Sequence, residues 1–219
     1  MSSMILTVDG PSGTGKSTVS KAVAARVGIP YLDTGAFYRA ATLAALRSGV
    51  DLADEAAVFE VVAVARLDQS DGLMTLDGDD INDEIRGDAV TKAVSQLSAL
   101  PRVRELLVDL QRIWVEKRGS RAVVEGRDIG SIVFPDADVR VYLDARPEVR
   151  ALRRAVQVGA DLEETIDDLN RRDRADSTRA ASPLAVPEGA HVLDTSDLSF
   201  EEVVEAVVGL LDAKSSTSG

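Results

Sequence analysis

Gly10, Gly15, Lys16 and Ser17 satisfy the spacing G-x-x-x-x-G-K-[ST], with Pro11, Ser12, Gly13 and Thr14 between the two glycines and Thr18 directly after them. Each residue type has a physical task at that spacing. Glycines let successive backbone N–H groups turn inward around phosphate oxygens, a lysine reaches the terminal phosphates, and a serine hydroxyl can ligate Mg²⁺. A dinucleotide fingerprint would need glycine at Thr18 and is disfavoured. Residues 10–18 are therefore expected to bind a nucleoside triphosphate with Mg²⁺ at Ser17.

The loop serves switches, motors and kinases alike. No base-reading Asn/Thr-Lys-x-Asp element is found, and 219 residues are few for a motor. Small kinases remain, and they differ in their acceptor. An alcohol acceptor calls for a carboxylate base, whereas a nucleoside monophosphate, with a second pKa of about 6, is largely ionised already and needs arginines more than a base. Arg39 in "YLDTGAFYR", Arg102 and Arg104 in "PRVRE", and Arg127 with Asp128 in "EGRDIG" follow strand-like or loop segments. Between 150 and 179 stand Arg150, Arg153, Arg154, Arg171, Arg172, Arg174 and Arg179, balanced by neighbouring acids. A closing lid would place such arginines over phosphates. Spacing leaves plainer readings open: a solvated helix face for Arg102 and Arg104, ordinary i,i+4 ion pairs in the later segment, and turn-forming roles for Asp33 and Asp128. His191, the single histidine, opens a strand candidate and is read as structural.

The elements that must position these residues alternate between short apolar runs and helical patterns. "MILTV" reads as a buried strand ahead of the loop, and Val19, Val23 and Val27 recur at helical spacing before Gly28. A second helical pattern runs from about Phe37 to Arg47 and stops at Gly49. "RAVVE" (121–125), "VRVYLDA" (139–145) and "HVLDT" (191–195) read as further strands. Pro147 suits a first helical turn, and Ser199 with Glu202 has capping-box spacing. This alternation predicts a parallel sheet with helices on both faces. From about Thr34 to Arg118 the rhythm breaks: Asp77-Gly78 marks a turn between two strand-like pieces, and "PRVRELLVDLQRIWVEKRG" is helical. That interval reads as an insertion folded onto the core within a single domain of residues 1–214, and 215–219 as a disordered tail.

Composition narrows the chemistry. With no cysteine, disulfides, thiolate nucleophiles and Cys/His zinc sites are excluded, and catalysis falls to carboxylates, lysine, arginine, hydroxyls and backbone. A formal net charge of −12 opposes binding to polymeric nucleic acid. No apolar run of membrane-spanning length and no basic-then-apolar leader is evident, so a cytoplasmic protein without membrane contact is expected.

Five stretches, "VDGPSGTGKST", "YLDTGAFYRA", "SQLSALPRVRE", "EGRDIGSIVFPDADV" and "RRDRADSTRAASPL", together resemble bacterial cytidylate kinases, in order and along nearly the whole chain. The resemblance implies an α/β fold: a P-loop NTPase core with a parallel five-stranded sheet, an inserted monophosphate-binding subdomain (about 36–118) and a short lid (about 153–179). It implies Mg²⁺-dependent transfer of the γ-phosphoryl group of ATP to CMP or dCMP, with ATP on residues 10–18, by a protein expected to be a monomer. Carried over by motif, Thr34, Arg39, Arg127 and Arg179 would hold the acceptor, chiefly its phosphate. Ser95, Arg104 and Asp128 would read cytosine, since a carboxylate accepts from the exocyclic amine that uracil lacks. Tyr38, Arg172 and Asp176 would lie near the sugar. Lys16, Arg127, Arg150, Arg153, Arg154 and Arg179 are the candidates for stabilising the transferring phosphoryl group. Thr34 stands where relatives often carry serine, which keeps the hydroxyl and adds a methyl. A kinase of UMP or a small alcohol, and an inactive nucleotide-binding module, are the competing readings.

Overall fold

The computed structural model describes residues 3–70, 72–178 and 184–217. They form two compact units, one of residues 1–31 with 118–219 and the other of 32–117.

The first unit is built on the β1 strand, Met4–Asp9, whose parallel partners are β6 (Arg121–Glu125) and β7 (Val139–Asp144). With β2 (Tyr31–Asp33) and β8 (His191–Asp194) they make a five-stranded sheet in the order β2-β6-β1-β7-β8. β1 lies in the middle, so both its faces are covered and its sequence is a near-continuous apolar run. Alternation divides those faces. Leu6 and Val8 join Val123, Val139, Val141 and Leu143 in a core closed by Val19, Val23 and Ala24 of helix α1 (Lys16–Val27) and by Val203, Val204, Val207 and Leu211 of helix α8 (Phe200–Thr217). Thr7 and Asp9 point the other way and are equally buried. Truncating a fully buried leucine of this core, Leu6 or Leu143, to alanine costs about 2–5 kcal/mol.

Helix ends follow the chemistry of their caps. Gly28, in the left-handed region, closes α1 with its N–H on the Ala24 carbonyl. At α8 the capping box forms as its spacing predicts: the Ser199 N–H donates to Glu202 Oε2 at 2.8 Å and the Glu202 N–H to Ser199 Oγ at 3.3 Å. Residues 215–217, expected in a disordered tail, instead continue α8 to Thr217. No glycine or proline stops the helix there, and the Ser216 hydroxyl bonds back to the Asp212 carbonyl at 2.9 Å. Ser218 and Gly219 lie outside the described residues. Helices α6 (Pro147–Val158) and α7 (Leu162–Thr178), joined through Gly159, carry the arginine-rich segment.

The second unit starts with helix α2, Thr34–Ser48, three residues earlier than its apolar pattern indicates. Asp33, whose expected role was a turn, is its N-cap and accepts from the Ala36 N–H at 3.0 Å. Helix α3 (Glu55–Val64), capped by Asp54, follows. An antiparallel sheet of β3 (Leu67–Ser70), β4 (Leu73–Leu76) and β5 (Asp79–Asp80) then leads to α4 (Asp88–Leu97) and α5 (Pro101–Glu116). Asp77 and Gly78, both at positive φ, make the expected hairpin turn. Ala41, Ala45, Val58, Val62, Leu97, Val103 and Leu107 form this unit's core.

Candidate active site

The phosphate loop lies where its motif places it, between the end of β1 and the start of α1. Three of its glycines hold positive φ: Gly10 at 143°, Gly13 at 82° and Gly15 at 89°. At Gly10 a side chain is also excluded by space, since a Cβ would sit 2.0 Å from the Leu143 carbonyl oxygen. Gly15 caps α1 in the left-handed region without a side-chain acceptor, so the first amides of α1 are offered to a ligand.

Lys16 is 7% exposed and donates from Nζ to the Pro11 carbonyl at 2.7 Å, folding back over the loop. Burial pulls its pKa down to about 7, with a further push from the Arg127 guanidinium; Glu125, Asp9 and Asp176 act in the opposite sense. Thr14 Oγ1 also donates to the Pro11 carbonyl, at 3.2 Å.

Two arginines converge on this loop. Arg127 donates to the Gly10 carbonyl at 3.2 Å and to Ser12 Oγ at 2.6 Å, while its Nε is paired with Asp176 at 2.9 Å. Arg150 donates to the Ser12 carbonyl at 3.0 Å, to the Ala145 carbonyl at 3.1 Å and to Asp173 Oδ2 at 2.5 Å. Asp173 Oδ1 in turn accepts from the Ser12 N–H at 3.3 Å. The carboxylates of α7 thus hold a loop amide and the guanidinium groups of both arginines.

Asp9 and Asp128 complete this side. Asp9 accepts from the backbone N–H groups of Ile129 and Gly130, both at 2.8 Å, yet burial outweighs those bonds and raises its pKa to about 6. Asp128 is buried directly before a π turn, Ile129–Val133.

The Leu32–Lys117 unit holds its own cluster. Arg104 is 4% exposed, donates to the Ser98 carbonyl at 3.1 Å and lies over the Tyr38 ring at 5.2 Å from its centroid. Arg39 donates to the Ile85 carbonyl and to Thr91 Oγ1, each at 3.1 Å. Thr34 is buried in the first turn of α2, and Ser95 is exposed on α4.

The family model for cytidylate kinase matches residues 6–213. A cytidylate kinase from Rhodococcus opacus (strain B4) is 49% identical over 223 residues, covering 98% of this chain and 97% of its own length. One from Rhodococcus jostii (strain RHA1) is 50% identical over 212 residues, covering 93% and 92%. The chain belongs to the cytidylate kinase family. Among solved structures, an uncharacterized protein from Eubacterium ventriosum ATCC 27560 superposes with a TM-score of 0.56 at 10% identity, covering 97% of this chain and 99% of that one. A gluconokinase from Sinorhizobium meliloti 1021 does so at 0.51 and 16% identity, covering 98% and 95%. These likenesses are of fold.

Lys16, Arg127, Arg150 and Asp176 meet at the loop. Arg153 does not join them: it donates to Thr195 Oγ1 at 2.9 Å and to the Thr195 carbonyl at 2.6 Å, beyond the end of β8. Arg154 donates to Gln157 at 2.9 Å, and burial together with the nearby Arg172 charge lowers its pKa. Arg171 forms an exposed ion pair with Asp168, at i,i+3 rather than the i,i+4 spacing expected. Arg179 lies outside the described residues. Of the two arginines in "PRVRE", Arg102 is exposed and lies over the Phe59 ring at 4.5 Å from its centroid, whereas Arg104 is buried.

Asp9 and Asp173 stand beside these residues without having been singled out in the sequence. Ser12 and Asp173 are 161 positions apart, and no local pattern joins them. Asp9 carried one signal, a carboxylate ending an otherwise apolar strand.

Proposed function

We propose that this chain transfers the γ-phosphoryl group of ATP to CMP or dCMP, with Mg²⁺, as a monomeric cytoplasmic enzyme that engages neither membrane nor polymeric nucleic acid. The convergence of Lys16, Arg127 and Arg150 on the glycine loop carries the reading, since it concentrates positive charge where a transferring phosphoryl group gains charge. No general base is assigned, because the acceptor oxygen is already ionised.

In this mechanism residues 10–18 cradle the triphosphate, with every backbone N–H but that of Pro11, which has none, available to its oxygens; those oxygens replace the carboxylates of Asp173 and Asp176 on Ser12, Arg150 and Arg127. Lys16 follows the γ-phosphoryl group, and its pKa rises from about 7 as the phosphates approach. Mg²⁺ bound by phosphates needs few protein ligands, and the Ser17 hydroxyl, exposed at the first turn of α1, suits that role. When bound, the ion neutralises charge on the phosphate oxygens.

The Leu32–Lys117 unit is read as the monophosphate-binding part, with Thr34, Tyr38, Arg39, Ser95 and Arg104 on the acceptor, and residues 153–179 as the lid that brings Arg172, Asp176 and Arg179 to it. Asp128 discriminates cytosine by accepting from its exocyclic amine. A coupled assay of ADP release tests the reading: release from Mg-ATP should depend on added CMP or dCMP. Release that ignores CMP while responding to gluconate or shikimate would rule it out.

A further inference from the structure

Asp9 is fully buried at the end of β1, and each of its carboxylate oxygens takes one of two successive backbone amides, Ile129 on Oδ1 and Gly130 on Oδ2. The Gly126 N–H donates to the Val8 carbonyl at 3.0 Å, so the segment 126–130 is fastened at both ends to the last residues of β1. Between those two fastenings lie Arg127, whose side chain reaches Gly10 and Ser12, and Asp128. The fit around the second fastening is close. A Cβ on Gly130 would lie 2.8 Å from Thr7 Oγ1, 3.1 Å from Pro187 Cγ and 3.2 Å from Arg140 Cγ. On the other side, Asp9 runs directly into Gly10, whose backbone is packed on the Leu143 carbonyl. A buried ionised carboxylate is costly to keep, and burial does push this one toward protonation; its two amide bonds, with the Lys16 charge, offset part of that cost.

We infer that Asp9 is a positioning residue for acceptor recognition: by holding the Ile129 and Gly130 amides it fixes Arg127 and Asp128 relative to the triphosphate loop, and so sets base selectivity without touching the nucleotide. The inference rests on the reading of Asp128 as the cytosine-recognising carboxylate. An asparagine at position 9 keeps the shape but offers only one acceptor oxygen, and its amide turns a donor toward the other N–H.

The test measures kcat and KM for CMP and UMP for the full chain and for Asp9→Asn. The expected result is a CMP to UMP ratio of kcat/KM narrowed by about fivefold or more and a higher KM for CMP. A role in stability alone would lower active enzyme and kcat together and leave KM and the ratio unchanged, which would overturn the inference. Should Asp9→Asn not fold, Gly130→Ala displaces the same turn against Thr7 with the carboxylate intact; the same narrowing is expected, and an unchanged ratio again overturns the inference. Asp128→Asn, measured alongside, separates the two levels. If it leaves the ratio unchanged, the base-site reading fails and the inference with it; if it narrows the ratio and Asp9→Asn does not, only the inference fails.

Discussion

Asp173 Oδ1 accepts the Ser12 N–H at 3.3 Å, so a carboxylate from α7 occupies an amide of the phosphate loop while its other oxygen pairs with Arg150. A triphosphate seated on the loop as proposed would compete with this contact, and its affinity would include the cost of parting Asp173 from Ser12 and Arg150.

Asp173→Asn keeps an acceptor for Ser12 and removes the competing charge. Mg-ATP affinity measured by calorimetry should increase by about three- to tenfold, with a loss of about 1 kcal/mol in the stability of the ligand-free protein. Unchanged affinity would show that the contact does not compete with nucleotide.

Lys16→Met should lower kcat by about a hundredfold or more through lost charge stabilisation in the transition state. It should also stabilise the fold. The folded-state pKa of Lys16 is depressed to about 7 from 10.5, so keeping its ammonium disfavours the folded state below pH 7, and that cost fades as pH rises toward 10.5. The gain in melting temperature of Lys16→Met over the parent should thus be largest at pH 7 and below and shrink at higher pH. A constant gain across that range would contradict the assigned shift.

The same pKa predicts proton-linked nucleotide binding. Phosphate favours the charged lysine, so the bound state holds more protons and Mg-ATP affinity should fall as pH rises above about 7. Calorimetry in buffers of different ionisation heat reads the proton uptake directly. Lys16→Met should lose it.

Arg104→Ala and Arg102→Ala should part company despite lying two residues apart. The buried Arg104, on Tyr38 and Ser98, is expected to raise KM for CMP by about tenfold or more when truncated, whereas the exposed Arg102 should leave it within about twofold. Equal effects would remove Arg104 from acceptor binding.

Gly10→Ala and Gly15→Ala separate space from backbone strain. Both positions have positive φ, costing about 1–2 kcal/mol for a Cβ, but only at Gly10 would that atom meet a backbone oxygen, at 2.0 Å. Chemical denaturation should show Gly10→Ala destabilised by clearly more than Gly15→Ala.

Strands β1, β6, β7 and β8 and the phosphate loop were legible because apolar runs, turn glycines and a fixed motif spacing are local signals. Helix α3 and strand β3 were not: "AAVFEVVAV" is too uniformly apolar to show a helical face, and "LDQS" becomes a strand only by pairing with β4. The candidate residues divide in the same way. Lys16 and Ser17 are placed by the loop itself, and Arg127 by its position after β6. The α6 arginines were indistinguishable in sequence, because which of Arg150, Arg153 and Arg154 reaches the loop depends on the angle at which α6 leaves β7. Asp9 and Asp173 act on amides more than a hundred residues away, and such contacts leave no periodic trace.

The most direct measurement is steady-state turnover of a nucleoside monophosphate panel at fixed Mg-ATP. CMP and dCMP should give the highest kcat/KM, with UMP well below CMP because it lacks the exocyclic amine that Asp128 would accept. Turnover of UMP equal to CMP, or of a small alcohol in place of any monophosphate, would contradict the account.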